Sequence, residues 1–280
     1  MTDNDKPPST VETIGNSNGL LVTIVDVGAT IQSISIPAPG GSIDGVLSYA
    51  EPSLYWTDPY YLGSTVGPVA NRIGGATFTL GGTQYHLDAN ETKRGNCLHG
   101  GENGLHMQRF SLERHVSRPL IKCRTNLVDG LGGFPGNRSI EVAYELLDEW
   151  SLAIDFKVTT DRYTVVNLAN HAYFNLGGRL EDHWLRVFST AYTPLDDLMI
   201  PTGELRDVRG SKFDLQELQQ LGDRKIDHNF VLEESGTELK TAALLESPTT
   251  GLQLTVLTTQ PGVYGRLPVR PVHASAGHLL

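Results

Sequence analysis

Cysteine is nearly absent from this chain. The two that occur, Cys97 and Cys123, lie far apart, and two such thiols make no disulfide framework. Both are expected to be reduced. Basic residues are also in short supply. Lysine and arginine total 22 against 32 aspartates and glutamates, a formal charge of −10. A nucleic-acid binder needs a basic face to neutralise phosphates, so this balance argues against one. No apolar stretch approaches the length of a membrane span. The opening residues, MTDNDKPPST, are polar and acidic, which does not fit a secretory signal. A cytoplasmic enzyme acting on neutral small molecules, with no nucleic-acid or membrane partner, suits these shortages.

Chemical motifs of several common kinds are missing too. His99 and His106 are seven residues apart in a glycine-rich loop, but no HExxH or CxxC accompanies them, so nothing supports a metal. GLGGFPG lacks the Lys-Ser/Thr ending of a phosphate loop. Gly15 to Gly19 fits G-x-S-x-G. A nucleophile elbow, however, needs a buried strand before it and a helix after it, and here a flexible turn is expected.

Helix signals are rare. Only DLQELQQLG argues for one: Asp214 can cap it, Leu215, Leu218 and Leu221 share a helical face, and Gly222 can end it. Strand signals are frequent. Leu152, Ile154, Phe156 and Val158 alternate with polar residues, as do Leu252, Leu254 and Val256. ATFTLGGTQYHL reads as a hairpin turning on Gly81-Gly82. Further strands are expected over 20–26, 30–36, 121–128, 139–147 and 184–189. Many strands with few helices imply an antiparallel all-β sandwich or barrel. No linker divides the chain, so residues 1–280 are expected to form a single domain. About 1–18 would be a flexible lead-in.

Three polar clusters stand out: VANRIGG with Asn71 and Arg72, NCLHGG with His99, and VVNLANHAYFNLGG with His171. Singly, each has a plain structural account. Together, Arg, His and Asn near Tyr173 and Phe174 suit a sugar: planar donors for hydroxyls and a ring face for stacking. In the third cluster the rings would offer the platform, while the amides and His171 address hydroxyls and a ring oxygen.

These clusters, in order with YTPLDDLMIPTGELRDVRGSKFDL, IDHNFVL and TTQPGVY, resemble the aldose 1-epimerase (galactose mutarotase) family from about Leu20 to about Arg266. The resemblance implies an antiparallel β-supersandwich and interconversion of the α and β anomers of a free hexose. It implies no cofactor and no metal. By match of position, His171 would be the general acid and His99 a second histidine bonded to the sugar. Asn71, Arg72, Asp227 and Gln260 would bind substrate, and Tyr173 would form part of the wall. The family's general base is a glutamate downstream of the Gln-Pro-Gly segment. No aspartate or glutamate follows Gln260 here, and about 267–280 is divergent, so the resemblance leaves the base unassigned. Asp227, His99, His273 and His278 are the alternatives. Two further accounts stay open: a non-catalytic carbohydrate-binding protein, and an isomerase or lyase recruited to another small polar substrate. A strand edge exposed by a short tail would favour a homodimer.

Overall fold

The computed structural model describes residues 8–148, 150–232 and 237–267. The chain divides into two compact units, the first ending at Phe174 and the second starting at Asn175. Both are built of antiparallel strands. Among the described residues no helix is long and apolar enough to cross a membrane.

The first unit holds two four-stranded sheets. One runs Val11–Gly15, Leu21–Val25, Thr30–Ala38, Gly41–Asp44 in spatial order. The other runs Ser111–Arg114, Leu120–Leu127, Arg138–Leu146, Leu152–Thr160. Side chains alternate between faces along a strand, and this decides what each sheet buries. In Arg138–Leu146 the residues Ile140, Val142, Tyr144 and Leu146 point inward. They meet Ile14, Val22, Ile24 and Ile31 of the first sheet in one apolar core. Each such side chain contributes roughly 1.5–3 kcal/mol by leaving water. Tyr144 is fully buried, yet its hydroxyl donates to Ala29 O at 2.6 Å, so its polar end is not stranded.

Cys97 and Cys123 are free, buried thiols, and burial raises them to about 11 and about 12. They are inert core residues. The expected hairpin forms from Thr77–Leu80 and Thr83–His86, with Gly81 and Gly82 at φ 58° and 81°. Gly15 to Gly19 turns between the first two strands, where Asn16 Oδ1 accepts from Asn18 N and Leu20 N.

In the second unit, Trp184–Val187 lies between Gln219–Gln220 and Lys240–Glu246, with Gln253–Thr258 outside the latter. A second sheet orders Arg206–Asp207, Ala191–Tyr192, Asp227–Val231, Gly262–Arg266. Its core gathers Val187, Tyr192, Val208, Phe213, Leu215, Ile226 and Phe230.

The expected helix over Asp214 to Gly222 does not form. Its backbone groups are engaged elsewhere. Leu215 O accepts from Val187 N, Leu221 N donates to His183 O, and Gly222 N donates to Glu181 O. Gln219 and Gln220 pair as a short strand with Leu185 and Trp184. The leucine spacing is real, and Leu215 and Leu221 are buried, but an irregular segment laid on a sheet buries them as well as a helix would.

Candidate active site

The first unit assembles its polar clusters on very short strands. Arg72–Ile73 pairs with Cys97–Leu98, with Arg72 opposite Leu98. The residue before one strand therefore meets the residue after the other. Asn71 N donates to His99 Nδ1 at 3.1 Å, and His99 N donates to Asn71 O at 2.9 Å. An imidazole nitrogen that accepts carries no proton, so neutral His99 holds its hydrogen on Nε2. His99 is buried.

Arg72 is oriented from behind. Its Nε donates to both oxygens of Glu91 at 3.1 and 3.0 Å, and Nη2 adds a bond at 3.0 Å. Nη1 reaches Asn71 Oδ1 at 3.2 Å. Glu91 also accepts from Arg94 and Asn96. Burial raises the Glu91 carboxyl, but the hydrogen bonds from Arg72 and Asn96 and the charges of Arg72 and Arg94 outweigh it. The net position is below the usual glutamate value, and the group stays an anion that fixes the guanidinium.

His171 follows the pair Ala169–Asn170 with Thr65–Val66. Its N donates to Ser64 O at 2.9 Å and its O accepts from Gly63 N at 3.1 Å. The imidazole lies 5.1 Å from that of His99, centre to centre, at 89°. Tyr173 lies 5.2 Å on another side of His171. Glycine is obligatory around this assembly. A Cβ on Gly100 would sit 2.1 Å from Gly67 O, and one on Gly63 would sit 2.1 Å from Ile31 O.

Two of the amides around His171 are bonded within the protein. Asn170 donates to Gly63 O and accepts from Ala172 N. Asn175, at the start of the second unit, accepts from Gly177 N. Both hold the local backbone.

Three residues at this site carry no sequence signal for a sugar site. Glu91 belongs to none of the three polar clusters. His106 is buried, its Nδ1 has no partner, and burial and the charge of His171 lower it to about 4. The Tyr61 ring lies among all three histidines, tilted or edge-on, its centre 4.7 Å from that of His99, 4.8 Å from His106 and 5.7 Å from His171. Only aromatic density in DPYYLG hinted at it.

Asp227 and Gln260 belong to the second unit. Asp227 pairs with Arg266 and Val231 with Gly262, so Asp227 begins its strand at the end remote from the turn that carries Gln260. Tyr264 donates its hydroxyl to Asp227 O at 3.0 Å. Gln260 is exposed, with its amide nitrogen 3.4 Å from Thr259 Oγ1. His273 and His278 lie outside the described residues. Among the described residues no group of three or more His, Cys, Asp or Glu side chains could hold a metal.

The sequence profile of the aldose 1-epimerase family matches residues 11–265. The chain belongs to the aldose 1-epimerase family. The Escherichia coli aldose 1-epimerase is 34% identical over 274 positions, covering 92% of this chain and 78% of that protein. The mouse galactose mutarotase is 37% identical over 259 positions, covering 88% and 74%. The solved structure of a GalM/aldose epimerase homologue from C. elegans superposes with a TM-score of 0.84 at 29% identity, covering 91% of this chain and 81% of that one. A galactose 1-epimerase from Lactobacillus acidophilus gives 0.75 at 28%, covering 87% and 74%. The aldose 1-epimerase match spans both units, and the fold is the galactose mutarotase-like β-supersandwich.

Proposed function

We propose that this protein is an isomerase that interconverts the α and β anomers of a free hexose, with His171 as general acid. The reaction moves two protons. His171 gives one to the ring oxygen as the bond from that oxygen to C1 breaks. The C1 hydroxyl loses the other to a base assigned here to no residue, and C1 becomes an aldehyde carbon. Rotation about the C1–C2 bond and reclosure reverse both transfers on the opposite face. General acid–base catalysis contributes about 10²–10⁴-fold to such a step.

The observation that carries this reading is the pair of imidazoles 5.1 Å apart, one of them fixed in its tautomer by Asn71 N. His99 then donates its Nε2–H to the sugar while His171 handles the mobile proton. Arg72, held by Glu91, and Asn71 supply donors for hydroxyls, and Tyr173 forms a wall beside His171. For Asp227 and Gln260 the family likeness supports a role in holding sugar hydroxyls.

The test is polarimetry of freshly dissolved α-galactose and α-glucose. The protein is expected to shorten the approach to anomeric equilibrium, and His171→Asn to cost about 10²–10⁴-fold. Full activity in His171→Asn overturns the assignment of the acid. Sugar binding by calorimetry without acceleration would make the protein a carbohydrate-binding one.

A further inference from the structure

Tyr61 has the backbone of a residue under constraint. Its φ is +59°, a left-handed conformation that side chains other than glycine and asparagine rarely adopt. Asn71 and His99 share it, at +64° and +53°. Strain of this kind gathers where surrounding structure holds a residue against its preference, often at functional sites.

The agent that holds Tyr61 is Asp58. Its Oδ1 accepts from Tyr60 N at 2.8 Å and its Oδ2 from Leu62 N at 2.6 Å, the two amides that flank Tyr61. Tyr49 donates its hydroxyl to the same carboxylate at 3.0 Å. The turn then closes onto His171. Ser64 N donates to Tyr61 O, while Ser64 O and Gly63 N bond the backbone of His171. Thus the main chain that carries Tyr61 is two residues from the main chain that carries the proposed acid.

The side chain repeats the connection. The Tyr61 ring touches His99, His106 and His171. His106 is a poor choice for mere filling, because its buried Nδ1 has no partner and an unmet polar group is a cost. The space around it is fixed as well: a Cβ on Gly104 would lie 2.8 Å from two atoms of its imidazole.

We propose that Tyr61, clamped by Asp58 and packed on His106, is a positioning residue that sets the ring orientations of His99 and His171. The inference rests on the anomer-interconversion reading and names the part of the fold that pre-aligns its two histidines. Misplacing a reacting group by about 1 Å can cost on the order of 10²-fold in rate. The ring is therefore required for turnover more than for sugar affinity.

Three variants test this, each followed by polarimetry with galactose and by the imidazole Cε1–H resonances of His99 and His171. Tyr61→Phe keeps the ring and is expected to retain kcat within about threefold. Tyr61→Asn suits the left-handed backbone but removes the ring; kcat is expected to fall about 10–100-fold with KM little changed. The His99 and His171 resonances should move, because a neighbouring ring current is lost. Asp58→Asn keeps the ring but weakens its clamp, and an intermediate fall is expected. It also decides the matter if Tyr61→Asn does not fold. Unchanged kcat and unmoved resonances in Tyr61→Asn, or in Asp58→Asn where the former does not fold, overturn the proposal. A wild-type protein without mutarotase activity would instead overturn the reading on which it rests, while the resonances of Asp58→Asn, which keeps the ring, still report whether Tyr61 orients the rings.

Discussion

Each unit builds a cluster of histidine on aromatic rings, and the two are made differently. In the first, Tyr61 gathers His99 and His171, each just past a two-residue strand, and His106 from a single 3₁₀ turn. In the second, His228 packs 4.3 Å from Phe213 and 5.7 Å from Tyr192, in the regular strand Asp227–Val231. Left-handed backbone occurs at Tyr61, Asn71 and His99 of the first cluster and at no member of the second. The second cluster is what a sheet produces when inward positions are filled. The first needs backbone that no regular strand supplies. Residue type alone therefore does not separate a site from a core; the conformations that hold the residues do.

That contrast can be broken or sharpened by experiment. The largest effect is expected from the glycines. Gly100→Ala drives a Cβ to 2.1 Å from Gly67 O in a left-handed residue, whereas Gly251, at φ +73° in the second unit, has open space around it. Chemical denaturation should show a loss of about 3–5 kcal/mol for Gly100→Ala from overpacking plus backbone strain, and only about 1–2 kcal/mol for Gly251→Ala from strain alone. Equal losses would mean that the approach at Gly100 relaxes easily and that the first cluster is no tighter than an ordinary turn.

Next comes acid sensitivity. Folded His106 stays neutral until about pH 4, while in the unfolded chain it takes a proton near 6.5. Between those values the unfolded state binds more protons, so stability falls as pH drops from about 6.5 to 4 and is unaffected above that window. The gap corresponds to about 3 kcal/mol. His106→Leu should flatten that part of the stability curve. His228 is lowered too, by burial first and then by Lys212, with Asp227 opposing. Its contribution has the same sign. If His228→Leu removed more of the slope than His106→Leu, the second cluster would be the more constrained of the two.

The smallest effect concerns ion pairs. Arg72 and Glu91 are 12% and 13% exposed, but Arg206 and Glu204 of the second unit are 53% and 50%. Glu91→Gln removes a charged acceptor from a half-buried fork and is expected to cost about 1–3 kcal/mol, with a raised KM for sugar as Arg72 loosens. Glu204→Gln should change stability by less than about 1 kcal/mol. A Glu91→Gln enzyme with unchanged KM would separate the orientation of Arg72 from sugar binding.

Much of this was written in short stretches of sequence. Period-2 patterns placed Leu152–Thr160 and Gln253–Thr258, because a sheet with one buried face demands alternation. Gly81-Gly82 marked the hairpin because its turn needs positive φ. His99 and His171 were legible because each lies in a compact run of polar and glycine residues. The helix expected over Asp214–Gly222 failed because its bonding partners, Val187, His183 and Glu181, lie elsewhere in the chain, and local spacing carries no information about them.

The sequence by itself determined an all-β chain and grouped the residue types proposed here for a sugar site, since periodicity and local composition act within a few residues. Only the tertiary structure decided how those residues work. It gave His99 its tautomer through Asn71, tied Arg72 to Glu91, turned Asn170 inward onto Gly63, and set Tyr61 among three histidines. The physical reason is reach. A hydrogen bond or ring contact acts over a few ångströms in space, and the pairs Arg72–Glu91, Asn71–His99, Asn170–Gly63 and Tyr61 with each of the three histidines are separated by 19 to 110 positions along the chain.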